Sequence, residues 1–121
     1  MIPKFRAWDK IRNRISEVER IYIDTKGVRL RDENGEYWRR FDDVILMQST
    51  GLVDKNGKEI FEGDVVNIFG EKLSKIYYSD GAFCVDILIG GTPLHAFLSE
   101  QLEIIGNIHR NPELMEEVLN D

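Results

Sequence analysis

The sequence predicts a mainly β protein, α+β at most, with a small SH3-like β-barrel core, an N-terminal β-rich extension and a short C-terminal helix. Turn residues recur at short intervals along the 121-residue chain, and short runs rich in β-branched and aromatic residues fill the gaps between them. From Glu62 to Ile108, a Gly-Asp corner is followed by several short strands, which is typical of small barrels. Only the final residues change from a period of two to helical spacing.

The first part of the chain predicts antiparallel hairpins. Asn34-Gly35 is a strong hairpin signal, because both residue types tolerate positive φ and match the twist of the flanking strands. Lys10–Arg14 is a second predicted turn. The candidate strands of this part are Lys4–Trp8, Ile15–Val18, Val28–Leu30, Glu36–Phe41 and Val44–Gln48.

The second part repeats the same turn chemistry. Asp54–Gly57 predicts a turn, Glu62-Gly63-Asp64 a corner, and Gly90–Pro93 a break. Between them, Phe83 to Ile89 alternates with a period of two, as a half-buried strand does. The candidate strands are Val65–Phe69, Leu73–Tyr78, Ala82–Ile89, Leu94–Leu98 and Leu102–Ile108.

The C-terminal residues predict a short helix. Asn111 suits a helix cap, and Pro112 suits the first helical position. Apolar residues at spacings of three and four form one stripe, which we expect to dock on the sheet or on a neighbouring subunit. The stripe consists of Leu114, Met115, Val118 and Leu119.

Length and composition indicate one globular domain over residues 1–121. A possible sub-division separates an N-terminal β-rich lobe, residues 1–45, from the barrel and helix, residues 46–121. The sequence holds no apolar run long enough for a membrane helix and no signal-like start, so we expect a cytoplasmic protein without a membrane partner. The single cysteine, Cys84, lies in an apolar run and suits a packed side chain.

Charge is unevenly distributed along the chain. The net charge is −6, but residues 1–40 hold 11 Lys and Arg against 7 Asp and Glu, while residues 41–121 hold 5 against 15. This division favours either head-to-tail contact between subunits or a basic part that faces a polyanion. Folding that mixes the charges into one ordinary surface is equally compatible with it.

Nucleic-acid binding is the strongest functional alternative. Arginines supply phosphate contacts and aromatic rings stack on bases. Several arginines lie near Trp8, Tyr37 and Trp38 in the sequence. The acidic net charge, and the suitability of both tryptophans for the core, argue against it. The candidate contacts are Arg6, Arg12, Arg14, Arg39 and Arg40.

No residue pattern predicts an enzyme, a metal site or a cofactor. The two histidines, His95 and His109, lie outside any nucleophile motif, and one cysteine with two histidines does not supply a zinc site. Asp54-Lys55-Asn56 begins like a calcium loop, but Lys58 stands where an oxygen ligand is needed. A hairpin turn explains the same residues, so we predict no catalytic, cofactor-binding or metal-binding residue.

Three blocks of the sequence resemble the YopX-like proteins of bacteriophages and prophages. They are Phe5–Asp9, then Ile45–Leu52 with the following Asp54–Ile60 and Glu62–Val66, and finally Glu103–Ile108 with Asn111–Leu114. The resemblance spans the start, middle and end of the chain. It implies a small phage- or prophage-encoded accessory protein that is mostly β, and it supplies no catalytic residue.

Most motif residues of these blocks have structural explanations. Gly51, Gly57 and Gly63 suit turns. Asp64 suits the corner, where its carboxylate can accept hydrogen bonds from backbone amides. We therefore expect a non-enzymatic interaction module that self-associates and binds a host or phage protein. The alternative is a nucleic-acid-binding module that uses the basic N-terminal third.

Overall fold

A computed structural model describes residues 4–87 and 90–120 of the protein. The chain forms two compact units that divide between Gln48 and Ser49, referred to below as the N-terminal and C-terminal units. Both units are built mainly from β-strands. No helix in the described ranges is long and apolar enough to cross a membrane.

The N-terminal unit is an antiparallel sheet. Its strands are β1 (Phe5–Asp9), β2 (Arg14–Tyr22), β3 (Gly27–Asp32), β4 (Gly35–Arg40) and the first part of β5 (Val44–Val53). The strands lie in the order β4-β3-β2-β1-β5. Consecutive strands are joined by tight turns, and a 3-10 turn over Phe41–Asp43 connects β4 to β5. The sequence predicted this succession of hairpins.

Alternation along these strands separates a core face from a solvent face. Ala7, Val28 and Leu30 are fully buried, and Val44 completes the buried set. Partly buried side chains pack against it, namely Val18, Ile21, Tyr37, Phe41 and Leu46. The opposite face of β3 carries Arg29 and Arg31, so its side chains alternate between solvent and core.

In the part of the C-terminal unit that the structure describes, there are seven further strands and one helix. They are β6 (Glu59–Phe61), β7 (Asp64–Ile68), β8 (Lys72–Lys75), β9 (Tyr77–Ser79), β10 (Ala82–Asp86), β11 (Gly91–Pro93), β12 (Leu102–Asn107) and α1 (Glu113–Asn120). The end of β5 pairs with β6. Two three-stranded antiparallel sheets follow, in the orders β12-β7-β8 and β11-β10-β9. Their shared core is Ile60, Val66, Ile68, Ile76, Val85, Leu94 and Leu102.

The mainly β prediction is confirmed. Among the described residues, the strands do not close into a barrel, so the narrower SH3-like prediction is not confirmed. The hairpin predicted at Asn34-Gly35 is confirmed, since Asp32 pairs with Gly35 across the turn. The turn residues are Glu33 and Asn34, and of the Asn-Gly pair only Gly35 takes the expected positive φ, of +117°. The single domain over residues 1–121, with its sub-division into residues 1–45 and 46–121, stays a prediction.

The predicted strand over Leu94–Leu98 is wrong. Leu94–Ala96 is a 3-10 turn, closed by the hydrogen bond that the N–H of Phe97 donates to the carbonyl of Leu94 at 3.1 Å. A strand lies instead over Gly91–Pro93, within the Gly90–Pro93 segment that we predicted as a break. Gly91 has no room for a side chain, since a Cβ there would lie 2.5 Å from the hydroxyl of Tyr77.

Two further strands differ from their predicted ranges. The predicted run Leu73–Tyr78 is split at Ile76, because Lys72–Lys75 pairs with β7 whereas Tyr77–Ser79 pairs with β10 in the other sheet. The predicted run Ala82–Ile89 ends as a strand at Asp86, and Leu88 and Ile89 lie outside the described residues.

The C-terminal helix is confirmed over Glu113–Asn120, one residue later than the predicted start at Pro112. The helix contacts β8, and Leu114 packs against β12 where Gly106 has no side chain. A Cβ at Gly106 would lie 2.5 Å from Cδ1 of Leu114. The side chains of Val118 and Leu119 lie outside the described part of the helix.

Three predicted details concern single residues. Cys84 is buried, as predicted. Asp64 accepts the backbone N–H of Phe61 at 2.9 Å, which confirms its role at the corner. Gly51 lies inside β5 and not at a turn, and its φ of +79° accompanies a register shift in the pairing of β5 with β6.

Candidate interaction surfaces

Asp9 is a fully buried carboxylate in the N-terminal unit. It accepts the backbone N–H groups of Ile11 at 2.9 Å and Arg12 at 3.3 Å. The guanidinium Nε of Arg39 donates to it at 3.2 Å, and the Arg39 side chain is itself only 17% exposed. A buried carboxylate requires such partners, so Arg39 stabilises the unit from inside.

Tyr37 lies between two of the predicted contact residues. The guanidinium carbons of Arg12 and Arg39 lie 4.2 and 4.7 Å from the centre of its ring, within the range of cation–π attraction. Its hydroxyl shares a 2.6 Å hydrogen bond with Ser16. Burial is the main cause that raises the pKa of Tyr37 above its ordinary value, so the ring stays neutral.

The other predicted contacts are largely paired as well. Arg12 lies 3.2 Å from the carboxylate of Asp32, Arg14 bonds to Glu33, and Arg40 lies 3.1 Å from Asp43. Carboxylates of the same unit therefore offset much of this positive charge. Arg6 is half-buried in β1. The use of these arginines as polyanion contacts stays a prediction.

The exposed face of β2, β3 and β4 carries a group that the sequence prediction missed. Arg20 lies opposite Arg29, and Arg29 lies opposite Trp38, so the three side chains form one row across the sheet. Trp38 stacks at a tilt on Tyr22 with 5.4 Å between ring centres. The alternation of Val28 and Leu30 with arginines was the available signal.

We had expected Trp38 to lie in the core. It does not, since 41% of the residue is exposed. Its ring lies over Gly27, where an added Cβ would be 2.0 Å from the ring carbon Cζ2. The hydrogen bond to Tyr22 raises the pKa of Arg29. Trp38, Tyr22 and Arg29 therefore form one partly exposed aromatic-cationic group.

In the C-terminal unit, the turn after β5 is organised by Asp54, which is 1% exposed. Its Oδ1 accepts the backbone N–H groups of Asn56 at 2.9 Å and Lys58 at 3.0 Å. Its Oδ2 accepts that of Ile104 in β12 at 2.9 Å. Burial alone would raise the pKa of Asp54, but these hydrogen bonds outweigh burial and lower it. The carboxylate therefore serves the predicted hairpin turn.

Phe69 is an exposed aromatic residue in an unfavourable backbone conformation. Phe69 and Gly70 have φ values of +57° and +74°, and the N–H of Glu71 donates to the carbonyl of Ile68 at 3.0 Å. This is the pattern of a type I′ turn, which favours Asn and Gly and disfavours bulky residues. We had predicted Phe69 as the end of a strand and therefore missed it.

The side chain of Phe69 is 56% exposed and contacts Phe97 edge to face, with 5.8 Å between ring centres. Leu98, next to Phe97 in sequence, is 60% exposed. These three residues are called the Phe69 surface below. An apolar surface bordered by polar groups is typical of interaction sites.

An open groove of about 360 Å³ adjoins this surface. Its lining includes Phe69, Asn67 and Leu102, and its rim carries Glu100 and an ion pair between Lys55 and Glu103 at 3.4 Å. The amide oxygen of Asn67 is buried and accepts no hydrogen bond from the described residues. Such an acceptor is costly to leave unpaired.

Within the described ranges, no group of three or more His, Cys, Asp and Glu side chains is arranged to hold a metal ion.

The sequence model of the family described as YopX protein matches residues 4–116. The chain belongs to the YopX family. The crystal structure of protein EF1440 from Enterococcus faecalis is 31% identical, with a TM-score of 0.68 over 95% of this chain and 99% of that one. Protein yopX from Bacillus subtilis is 19% identical, with a TM-score of 0.63 over 92% of this chain and 96% of that one, and shares the fold. No curated protein matches the chain. The YopX resemblance of the three sequence blocks is therefore confirmed.

Proposed function

We propose that this YopX-family chain is a phage- or prophage-encoded accessory protein of the bacterial cytoplasm that acts as a non-enzymatic, self-assembling interaction module. The observation that carries the proposal is the Phe69 surface, where the Phe69 ring and Leu98 are exposed beside the partly buried ring of Phe97. Phe69 is also held at positive φ, and strain of this kind is concentrated at functional positions. A protein contact would bury the ring that the turn exposes.

The charge distribution gives the assembly its expected salt dependence. The acidic residues 41–121 and the basic residues 1–40 attract each other between copies, and added salt screens that attraction. Sedimentation velocity over a concentration and salt series tests this directly. We expect larger species at low salt that partly dissociate as salt is added. A monomer at every concentration and salt would overturn self-assembly.

Nucleic-acid binding is the second candidate, and the row of Arg20, Arg29 and Trp38 favours it. Cations beside an exposed aromatic ring can contact phosphate and stack on a base. Exchanging Arg39 and Arg40 for glutamate would be a poor test, because Arg39 holds the buried carboxylate of Asp9.

The better variant is Arg20→Ala with Arg29→Ala, and Lys58→Ala removes an exposed charge from the C-terminal unit as the control. For a binder, the double variant weakens binding to single-stranded nucleic acid and flattens its dependence on salt, whereas the control does neither. Equal binding by all three proteins would remove this candidate. Capture of tagged protein from host lysate, with and without nuclease, separates a protein partner from a nucleic-acid partner.

A further inference from the structure

We infer that the Phe69 surface binds the tip of the β2–β3 hairpin of a second copy of this chain, so that copies join head to tail. This inference rests on the proposed self-assembly and specifies the two surfaces that meet. The surfaces belong to different units, the acceptor to the C-terminal unit and the hairpin tip to the N-terminal unit.

The acceptor is the Phe69 surface with the adjoining groove. Asparagine would satisfy the type I′ turn better than phenylalanine does, so the turn itself does not explain the aromatic ring. The ring stays 56% exposed beside a groove of about 360 Å³. A partner side chain that enters the groove would cover both.

Charge around the groove defines what fits. Glu71 follows the turn, and Glu100 and Glu103 lie on the groove. Lys55 is paired to Glu103 at 3.4 Å, and Lys72 follows Glu71 at the start of β8. Three carboxylates against two ammonium groups leave the surroundings net acidic, so the occupant presents cations as well as an apolar group.

The β2–β3 hairpin tip has this chemistry. Ile23 is 75% exposed, the highest value among the exposed large hydrophobic side chains of the described residues. It begins a turn that ends at Lys26, and Arg20 and Arg29 lie opposite each other on the strands behind it. Asp24 lies in the same turn, so the three cations Arg20, Lys26 and Arg29 outnumber one carboxylate. An exposed isoleucine with net positive surroundings complements an aromatic surface with net acidic surroundings.

A contact between two different surfaces is heterologous. Each copy then uses its hairpin tip on one neighbour and its Phe69 surface on another, which produces a ring or an open chain. A contact formed by the same surface on both copies would stop at a dimer. The two arrangements respond differently when copies that carry different defects are mixed.

The test uses Phe69→Asn, which removes the ring and suits the positive φ, and Ile23→Ser, which changes an exposed turn residue. Tyr78→Asn is the matched control, because Tyr78 is 54% exposed and its ring contacts Phe83. Sedimentation velocity measures each protein alone and an equimolar mixture of the first two. Circular dichroism and thermal unfolding check that each variant is folded.

We expect Phe69→Asn and Ile23→Ser each to weaken self-association by about 30-fold, as loss of a hot-spot side chain does, and Tyr78→Asn to leave it unchanged. The mixture recovers a heterodimer and nothing larger, because one intact Ile23 meets one intact Phe69. If each variant assembles as strongly as the wild-type protein, or if the mixture forms no heterodimer, the head-to-tail contact is wrong. Self-assembly itself is not contradicted by either result. A monomeric wild-type protein overturns both.

Discussion

Replacing Arg39 by alanine removes the charged partner of a carboxylate that is 0% exposed. Breaking a buried ion pair by deleting one member typically costs about 3–5 kcal/mol, because the other charge stays buried. Asp9 keeps the backbone N–H groups of Ile11 and Arg12, so the lower end of that range applies. We expect Arg39→Ala to lower the free energy of unfolding of the N-terminal unit by about 3 kcal/mol.

Arg40→Ala is the matched control for this prediction. Arg40 is adjacent in sequence and also contacts a carboxylate, but its side chain is 72% exposed. We expect a change of no more than about 0.5 kcal/mol there. Urea unfolding followed by tryptophan fluorescence reports on the correct unit, because Trp8 and Trp38 both lie in it. Equal losses for the two arginines would refute the reasoning from burial.

Three further predictions concern the C-terminal unit. Asp54→Ala leaves three backbone N–H groups without their acceptor and lowers the free energy of unfolding by about 3–5 kcal/mol, whereas Glu100→Ala, on the surface, changes it by less than about 0.5 kcal/mol. Because the folded pKa of Asp54 is lowered, its contribution is present above the unfolded value of about 3.9 and is lost as pH falls through the folded pKa. The stability gap between wild type and Asp54→Ala therefore narrows in acid, and a constant gap would contradict this. The hydrogen bond to Asp86 raises the pKa of Tyr77 to about 12. Ultraviolet titration should show a tyrosine that ionises near 12, absent in Tyr77→Phe and shifted towards about 10 in Asp86→Asn. An unshifted titration in Asp86→Asn would disprove the assignment.

Local signals in the sequence predicted the hairpins well. Asn34-Gly35 and the Asp64 corner depend on residues within a few positions of each other, so their backbone chemistry can be interpreted directly. The strand predicted over Leu94–Leu98 is wrong because the backbone there closes a 3-10 turn and does not pair with another strand. Local propensity does not contain that information.

The surfaces were harder to predict than the strands. The pairing of Asp9 with Arg39 joins residues 30 positions apart, and only the register of the sheet brings them together. The position of the Trp38 ring over Gly27 likewise follows from the register of β3 and β4. Phe69 carries a local signal, a residue before glycine in a short hairpin, but its positive φ is visible only in the folded chain.

The hydrogen bond from Ile104 to Asp54 spans 50 residues of sequence. β7 and β12 are also far apart in sequence, and Leu102 lies opposite Ile68. Contacts of such separation form late, because a long loop must close before they are rewarded. During translation, the hairpins of β1 to β4 can close soon after they leave the ribosome. One edge of β7 stays unpaired until residues 102–107 have been made. Until then Asp54 also lacks the hydrogen bond from the N–H of Ile104. The C-terminal unit is therefore the part of this chain that nascent-chain chaperones would hold longest.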